Sequence, residues 1–253
     1  MSAACRYVPG LAFHVLTPLY DRALRVIFDE VALKSRLLDQ AALAAGQRVL
    51  DLGCGTGTLL LLVHEREPGV GAFGVDGDSK MVGRARTKLH AAGASSHVAV
   101  ALAQEMPLAA RSFDRILSTL FFHHLPTATK PAVLREVLRV LRPGGELHVM
   151  DFGRPSGWGP WTIFTVLRAF DGLDNTADNA KGLLPRRMEE AGFEDVREVA
   201  RIDTLVGTVA YYRGCRPPDL PTHRATLSAE DLRRCGQAAQ TEGRSVPGCS
   251  PAA

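Results

Sequence analysis

The sequence predicts an α/β protein built on a doubly wound sheet of seven strands, mostly parallel, with an antiparallel strand at the C-terminal edge. Three observations lead there. Short apolar runs alternate with stretches of helical periodicity, the first run exits into a glycine-rich turn, and the last two β-rich runs follow one another with no helix between them. Strands separated by helices imply parallel pairing, because a parallel crossover needs a covering helix. Successive strands can pair antiparallel through a short turn.

Taken in order, Leu24, Ile27, Phe28, Val31, Leu37, Leu38 and Leu43 recur at mostly helical spacing between Pro18 and Ala44. They predict one or two amphipathic helices ahead of the sheet. QRVLDL then reads as a buried first strand and TLLLLVHERE as a helix stopped by Pro68 and Gly69. GAFGVD is the second strand, SKMVGRARTKLHAAG a helix ending in glycine, and HVAVALA the third strand. FDRILSTL is the fourth. KPAVLREVLRVL is a helix with Leu134, Leu138 and Leu141 on one face and Arg135, Arg139 and Arg142 off it, ended by Pro143-Gly144-Gly145. ELHVMDF is the fifth strand. Beyond Asp151 comes a segment rich in glycine and aromatics, then a helix near LPRRMEEAGF, then the β-rich runs DVREVARI and TLVGTVAYYRG. After Pro217 the composition turns to Pro, Arg, Ala, Gln and Ser, which predicts a flexible tail with at most one short helix near SAEDLRRC.

These readings divide the chain into an N-terminal helical segment over residues 1–44, a core domain over 45–214 with an insertion at 153–184, and a tail over 215–253. Charge selects no partner: 30 basic residues stand against 27 acidic ones, for a formal +3. Cys5, Cys54, Cys215, Cys235 and Cys249 are odd in number and form no Cys-x-x-Cys pair, which argues against a disulfide framework or a structural zinc site. A reducing, cytoplasmic setting fits that usage. No run of about 18 apolar residues predicts a membrane span, and LAFHVLTPLY is broken by His14, Thr17 and Pro18.

The chemistry starts at VLDLGCGTGTL, Val49 to Leu59. In an open α/β sheet, ligands bind outside the carboxyl ends of the strands, and glycine there lets backbone approach a ligand. Dinucleotide enzymes use Gly-x-Gly-x-x-Gly, with a pyrophosphate at the helix N-terminus. Here the glycines are Gly53, Gly55 and Gly57, and Thr58 occupies the place of the third glycine in that motif. Asp51, two residues before the turn, would repel a pyrophosphate and attract a cation. Asp76, ending the second strand, is suited to accept hydrogen bonds from ribose hydroxyls. Together they favour an adenosyl ligand with a ribose and a positive charge but no phosphate.

With VLDLGCGTGTL, GVDGDSKMVGRAR, MPLAARSFDRILSTLFFHHL and VLRVLRPGGELHVMDF in that order, the chain resembles the class I S-adenosylmethionine-dependent methyltransferases, in the style of the ubiquinone and menaquinone biosynthesis branch. The resemblance spans about Tyr20 to Tyr212 and implies a Rossmann-like fold and S-adenosylmethionine as methyl donor. It assigns Asp51 and the segment Gly53, Cys54, Gly55, Thr56 and Gly57 to the methionine portion, Asp76 to the ribose, and Gly77 and Met81 to the adenine border. Many relatives carry an acid after the third strand that contacts the adenine amino group. This chain has Leu102 near that place, and Gln104, Glu105 or Met106 and the backbone around them are left to supply the contact.

His123 and His124 follow the fourth strand, where donor and acceptor meet in the resembling family. One of them could serve as general base, since histidine titrates near neutrality, or could line the site. Tyr20, Trp158 and Trp161 are candidate acceptor contacts, the two tryptophans within an insertion able to close over a hydrophobic or aromatic molecule. Asp78 reads as a helix cap. The Asp and Asn residues of NTADN have no ligand spacing for a metal, and none is expected. The expected function is methyl transfer to a small molecule such as a quinone precursor, polyketide-like compound or lipid. The other readings are a protein or nucleic-acid methyltransferase, a non-catalytic adenosyl-binding protein, and a NAD-type oxidoreductase, which Thr58 and Asp51 oppose.

Overall fold

The computed structural model describes residues 29–155, 177–204 and 207–219, and every element below belongs to the unit Met1–Pro218. Its elements are α1 (Glu30–Ala41), β1 (Arg48–Leu52), α2 (Thr58–Arg66), β2 (Gly71–Asp76), α3 (Ser79–Ala91), β3 (His97–Val100), β4 (Phe113–Thr119), a short 3-10 turn (Phe122–His124), α4 (Lys130–Val140), β5 (Leu141–Phe152), α5 (Ala177–Lys181), α6 (Leu184–Ala191), β6 (Glu194–Thr204) and β7 (Gly207–Cys215). Tyr20, Trp158, Trp161 and the tail helix expected near SAEDLRRC lie outside the described residues.

The seven strands form one sheet in the order β3-β2-β1-β4-β5-β7-β6. β1 pairs in parallel with β2 and β4, β2 with β3, and β4 with β5. β7 runs antiparallel to both β5 and β6. The antiparallel strand is the C-terminal one, as expected, but it sits one place in from the edge and β6 is outermost. β6 alternates between exposed and half-buried residues, the pattern of a strand with one neighbour.

The strands are apolar on both sides because both sides are covered. Since successive side chains alternate faces, Val49 packs with Leu33, Leu37, Leu59, Leu60, Val63 and Ala85 under α1, α2 and α3. Leu50 and Leu52 go the other way, to Ile116, Val133, Leu134, Val137 and Met188 under α4 and α6. Burying one such side chain contributes roughly 1.5–3 kcal/mol. α4 starts with Pro131 in its first turn, a position where a missing N–H costs nothing. Its apolar face gives way at Leu141, where β5 begins. The Pro143-Gly144-Gly145 turn therefore lies inside the first part of β5 rather than ahead of it, and pairing with β4 breaks register there, from Phe113↔Leu141 to Arg115↔Glu146.

α1 is set against the sheet with its N-terminal end toward the carboxyl ends of the strands. Gln40, near its C-terminus, donates to the carbonyl of Tyr212 at 3.1 Å and contacts His148 Nδ1 at 3.0 Å, low on β5. Leu33, near its start, accepts from Tyr211 Oη at 3.0 Å, opposite Met150 higher on the same strand. Asp29 caps the helix, accepting from Ala32 N–H at 2.9 Å. α1 thus lies against β4 and β5, its first turns toward the carboxyl ends of the strands.

Candidate active site

At the carboxyl end of β1 the chain turns through Gly53, Gly55 and Gly57, all at positive φ (74°, 51° and 75°). Each has its own reason to be glycine. A Cβ on Gly53 would lie 2.4 Å from the Phe121 ring, and one on Gly57 would lie 3.1 Å from the Ala85 Cβ of α3. Around Gly55 a Cβ would meet nothing within 4 Å, so its backbone borders open space. The close helix approach that a dinucleotide motif obtains from its third glycine comes here from Gly57. Thr58 then begins α2, and its hydroxyl and that of Thr56 accept from Lys88 Nζ of α3 at 3.0 and 3.1 Å.

β2 brings Asp76 beside this turn. Gly53 and Cys54 N–H donate to the Val75 carbonyl at 2.9 and 3.0 Å, while Asp76 accepts from Gly55 N–H and Asp78 N–H, each at 2.8 Å. Each carboxylate oxygen has a second lone pair left for a hydroxyl. Asp78 caps α3, accepting from Lys80 N–H at 2.7 Å. Gly77 and Met81, half-buried, follow at the head of α3. Cys54 is buried against Gly74. Burial, and then the charges of Asp51 and Asp76, push its thiol well above the ordinary value, so it is no nucleophile.

Asp51 is the anomaly. It faces the same side as Val49, is 1% exposed, and neither carboxylate oxygen has a hydrogen-bond partner. Burial pushes its pKa up to about 7, against the lowering influence of Lys34 on α1 and with a further rise from Asp76. A buried, unpaired acid beside backbone that borders open space fits a ligand carrying a positive charge.

Past β3, Ala101 N–H donates to the Asp76 carbonyl at 3.0 Å, which leads the segment to Met106 along the same edge. Leu102 is exposed, Gln104 half-buried and Glu105 exposed. Met106 turns its side chain into the core, so only its backbone is available to the edge. Its N–H donates to Glu136 Oε1 at 2.7 Å and its carbonyl accepts from Arg139 at 3.1 Å, and Arg139 holds Glu136 through two contacts of 2.7 Å. Arg139, which helical spacing turned away from the apolar face, therefore works with Glu136 as a clamp on this loop.

After β4, Leu120 adopts φ 52°, a strained setting for a branched side chain, worth about 1–3 kcal/mol. It turns Phe121 onto Gly53 and sends Phe122 and His123 inward. His123 is 3% exposed, and its Nδ1 lies 2.7 Å from Asp151 Oδ1 near the end of β5. Its N–H reaches Asp151 Oδ2 at 3.3 Å. Burial alone would raise the Asp151 carboxyl, but the charge and hydrogen bond of His123 and the N–H of Phe152 outweigh it and hold the group below its usual range. Behind Asp151, Asn179 donates to Oδ1 at 3.4 Å and to the Phe152 carbonyl at 2.8 Å, and buried Lys130 donates to Asn179 Oδ1 at 3.1 Å. The His124 ring lies tilted against that of His123, with ring centroids 3.9 Å apart and 44° between their planes. The charge of His123, and then loss of water, lower its pKa; because His124 keeps an exposed surface, the first pressure carries the weight.

The described structure thus gathers Asp51, the segment Gly53–Gly57, Asp76, Gly77, Met81, the loop around Gln104–Met106, and His123 with His124 along one edge of the sheet. It adds residues that the sequence reading did not single out: Lys34, Lys88, the Glu136–Arg139 clamp, Lys130, Asp151 and Asn179. One signal could have found Asp151, since like Asp51 and Asp76 it is an acid close to the end of an otherwise apolar strand. Among the described residues no group of three or more His, Cys, Asp or Glu is arranged to hold a metal.

An open sheet of this order, with a glycine turn between an acid on β1 and an acid closing β2, defines a methyltransferase of the class that uses S-adenosylmethionine. A methyltransferase-domain family matches residues 49–145. The ubiquinone/menaquinone biosynthesis C-methyltransferase of Syntrophotalea carbinolica is 30% identical over 223 residues, covering 81% of this chain and 92% of that protein. The demethylmenaquinone methyltransferase of Thermus thermophilus is 34% identical over 145 residues, covering 56% and 65%. In fold, the chain is similar to phosphoethanolamine N-methyltransferase 2 of Haemonchus contortus, solved with phosphomonomethylethanolamine and S-adenosylhomocysteine, at TM-score 0.59, 17% identity and coverage of 78% and 56%. The chain belongs to the class I S-adenosylmethionine-dependent methyltransferases, related to the ubiquinone/menaquinone biosynthesis branch. It is an enzyme. No helix among its described residues is long and apolar enough to cross a membrane.

Proposed function

We propose that this enzyme methylates a small hydroxylated aromatic acceptor, of the quinol kind that its relatives' names indicate, and that His123 takes the acceptor's proton. The observation that carries this reading is the buried contact of 2.7 Å between His123 Nδ1 and Asp151 Oδ1. An ionised Asp151 fixes Nδ1 as the protonated nitrogen and leaves Nε2 as the one able to accept. It also stabilises the imidazolium that proton uptake creates, the arrangement a general base needs. A histidine so held is suited to a nucleophile that begins protonated, such as a hydroxyl or a ring carbon made nucleophilic when the adjoining hydroxyl ionises.

In this reading Asp51 holds the ammonium of the donor, Asp76 its ribose hydroxyls, and the Gly53–Gly57 backbone lies along it, with Cys54 and Thr56 contributing main chain. Gly77, Met81 and the Gln104–Met106 loop border the adenine. S-Adenosylmethionine supplies a methyl group on a positively charged sulfur, which leaves as a neutral thioether. The chain's share is alignment, worth effective molarities of about 10⁵ to 10⁸ M in favourable cases, and removal of one proton to Nε2 of His123, which returns it to water after transfer. Asp151 keeps the ring oriented throughout. Tyr20, Trp158 and Trp161 are proposed as the acceptor's apolar contacts, within a helical segment over 1–44 and an insertion over 153–184 that close on the core domain.

The test is transfer of a radiolabelled methyl group to a panel holding demethylated quinols, simple phenols, phospholipids, RNA and protein. Label in the quinols or phenols, lost at least about 100-fold in His123→Gln while S-adenosylhomocysteine still binds, is the expected result. Label in RNA or protein alone would overturn the reading of the acceptor, and undiminished transfer by His123→Gln would overturn that of the base.

A further inference from the structure

The contact between His123 and Asp151 continues inward. Asn179 of α5, 2% exposed, donates through Nδ2 to Asp151 Oδ1 at 3.4 Å and to the Phe152 carbonyl at 2.8 Å, and its Oδ1 accepts from Lys130 Nζ of α4 at 3.1 Å. Lys130 is fully buried, a rare state for lysine. Beside it stands buried Asp178 of α5, with Oδ2 4.0 Å from Lys130 Nζ and 3.3 Å from Nε of Arg187 on α6, which also pairs with Glu190 at 3.0 Å. Negative and positive charges thus alternate along Asp151, Lys130, Asp178 and Arg187. An ammonium only donates, so it fixes which way the Asn179 amide points: oxygen toward Lys130, N–H groups toward the two oxygens at the strand end. Two other titratable groups face this line, His124 beside His123 and Tyr212 of β7, whose hydroxyl lies by Gly153 and is held un-ionised by burial first and then by Glu198 and Asp151.

A buried carboxylate beside an imidazole favours the imidazolium, and a base that already carries its proton takes no other. We propose that Lys130 is a positioning residue for methyl transfer: acting through Asn179, it offsets the charge of Asp151 so that Nε2 of His123 is bare when the acceptor arrives. This rests on the reading of His123 as the base. The line of side chains then does two things. Asn179, aimed by Lys130, fixes the carboxylate that orients the imidazole, and the Lys130 charge keeps that carboxylate from trapping the proton. Asp178 limits the offset, since it draws on the same ammonium. A side chain that only packed α4 against α5 would need no charge, and an ammonium is costly to bury unless it is paired.

Two charges of opposite sign behind the base call for opposite displacements. With S-adenosylmethionine and a demethylated quinol, kcat followed from about pH 5 to about pH 9 should fall on its acid side as His123 takes up a proton. Lys130→Met is expected to move that fall about one unit to higher pH. Transfer on the acid side then drops about tenfold, while transfer near pH 9, the acceptor KM and the Kd of S-adenosylhomocysteine stay within about threefold. Asp178→Asn keeps the side-chain shape and removes a charge that opposes Lys130, so it is expected to move the fall about half a unit to lower pH. It also serves where Lys130→Met folds poorly. A nitrogen NMR titration of the His123 ring in the S-adenosylhomocysteine complex needs no acceptor and should shift in the same two directions. No displacement, displacement of the wrong sign in either variant, or a loss equal at every pH would overturn the proposal. An acid-side fall that persists unchanged in His123→Gln would instead sink the reading of His123 as the base.

Discussion

Replacing Asp51 by Asn measures what an unpaired buried carboxylate costs the fold. Burial pushes the Asp51 pKa from 3.8 to about 7, while the unfolded chain keeps the ordinary value. The folded state therefore holds the proton longer than the unfolded chain does. Stability from this group is greatest in acid, falls as pH rises from about 4 to about 7, and levels off above that. A gap of about three units at 1.36 kcal/mol each bounds the loss near pH 8 at roughly 4 kcal/mol, of which only about 1.5 kcal/mol is incurred by pH 5. Asparagine has the shape of the protonated acid, so the comparison isolates the charge, and Lys34 keeps its Glu30 pair in the variant. Asp51→Asn is expected to exceed the parent in stability by up to roughly 4 kcal/mol near pH 8 and by about 1.5 kcal/mol near pH 5, read from urea unfolding of both proteins. It should also bind S-adenosylhomocysteine more weakly. A stability difference that does not grow between those two pH values would refute the assignment of Asp51 as a buried acid without a partner.

Other expected outcomes separate structure from binding at neighbouring positions. Gly53→Ala would drive a Cβ to 2.4 Å from the Phe121 ring at a φ of 74°, so it should unfold at lower urea by at least about 1–2 kcal/mol. Gly55→Ala meets no atom within 4 Å; its stability loss should stay near 1 kcal/mol, while calorimetry shows a much larger rise in the donor's Kd. Glu136→Ala removes the acceptor held at 2.7 Å by Met106 N–H, and should raise the Kd for 5′-methylthioadenosine, whose adenine faces that loop in the proposed site, with little change in Tm. Asp151→Asn should lower kcat about 10²- to 10⁴-fold with donor affinity retained, whereas a loss confined to KM would argue against a role in orienting His123.

The juxtaposition of Asp51, the glycine turn and Asp76 was legible because it is local in sequence. Asp51 through Gly57 is one turn between one strand and one helix, and Asp76 closes the next strand, so spacing alone brought them together. The β5–β7–β6 order was not legible, since two successive β-rich runs pair equally well as an edge hairpin or with β7 inserted beside β5. Nor was the start of β5. Leu141 belongs to the apolar face of α4 by periodicity, yet its carbonyl receives Arg216 and its backbone pairs with Phe113. The His123–Asp151–Asn179–Lys130 chain joins four segments far apart in sequence, and each member has an ordinary explanation when read alone. Lys34 was hidden for a different reason. A lysine four residues after a glutamate on a helix reads as a surface pair, and only the packing of α1 against the sheet makes it buried.

Buried charge in the described residues falls into two kinds. Asp151 has His123, the N–H of Phe152 and Asn179; Lys130 donates to Asn179. Removing one partner from a buried pair typically costs about 3–5 kcal/mol, so these networks hold strand ends and helices in place. Asp51 has no such bond, though the same face accepts Val49 two residues earlier. A carboxylate retained there lowers the stability of the ligand-free protein at neutral pH, and a ligand that brings one positive charge restores it. Binding to the folded state alone adds about 2.7 kcal/mol at a hundredfold excess over Kd. If the ligand's ammonium is what restores it, S-adenosylhomocysteine must bind the ionised acid better than the protonated one. Its Kd is then expected to fall as pH rises from about 5 to about 8, over the range in which Asp51 ionises and Asp51→Asn shows no such fall. A wild-type Kd that is flat across that range would place the ammonium elsewhere and leave the lone carboxylate without a function.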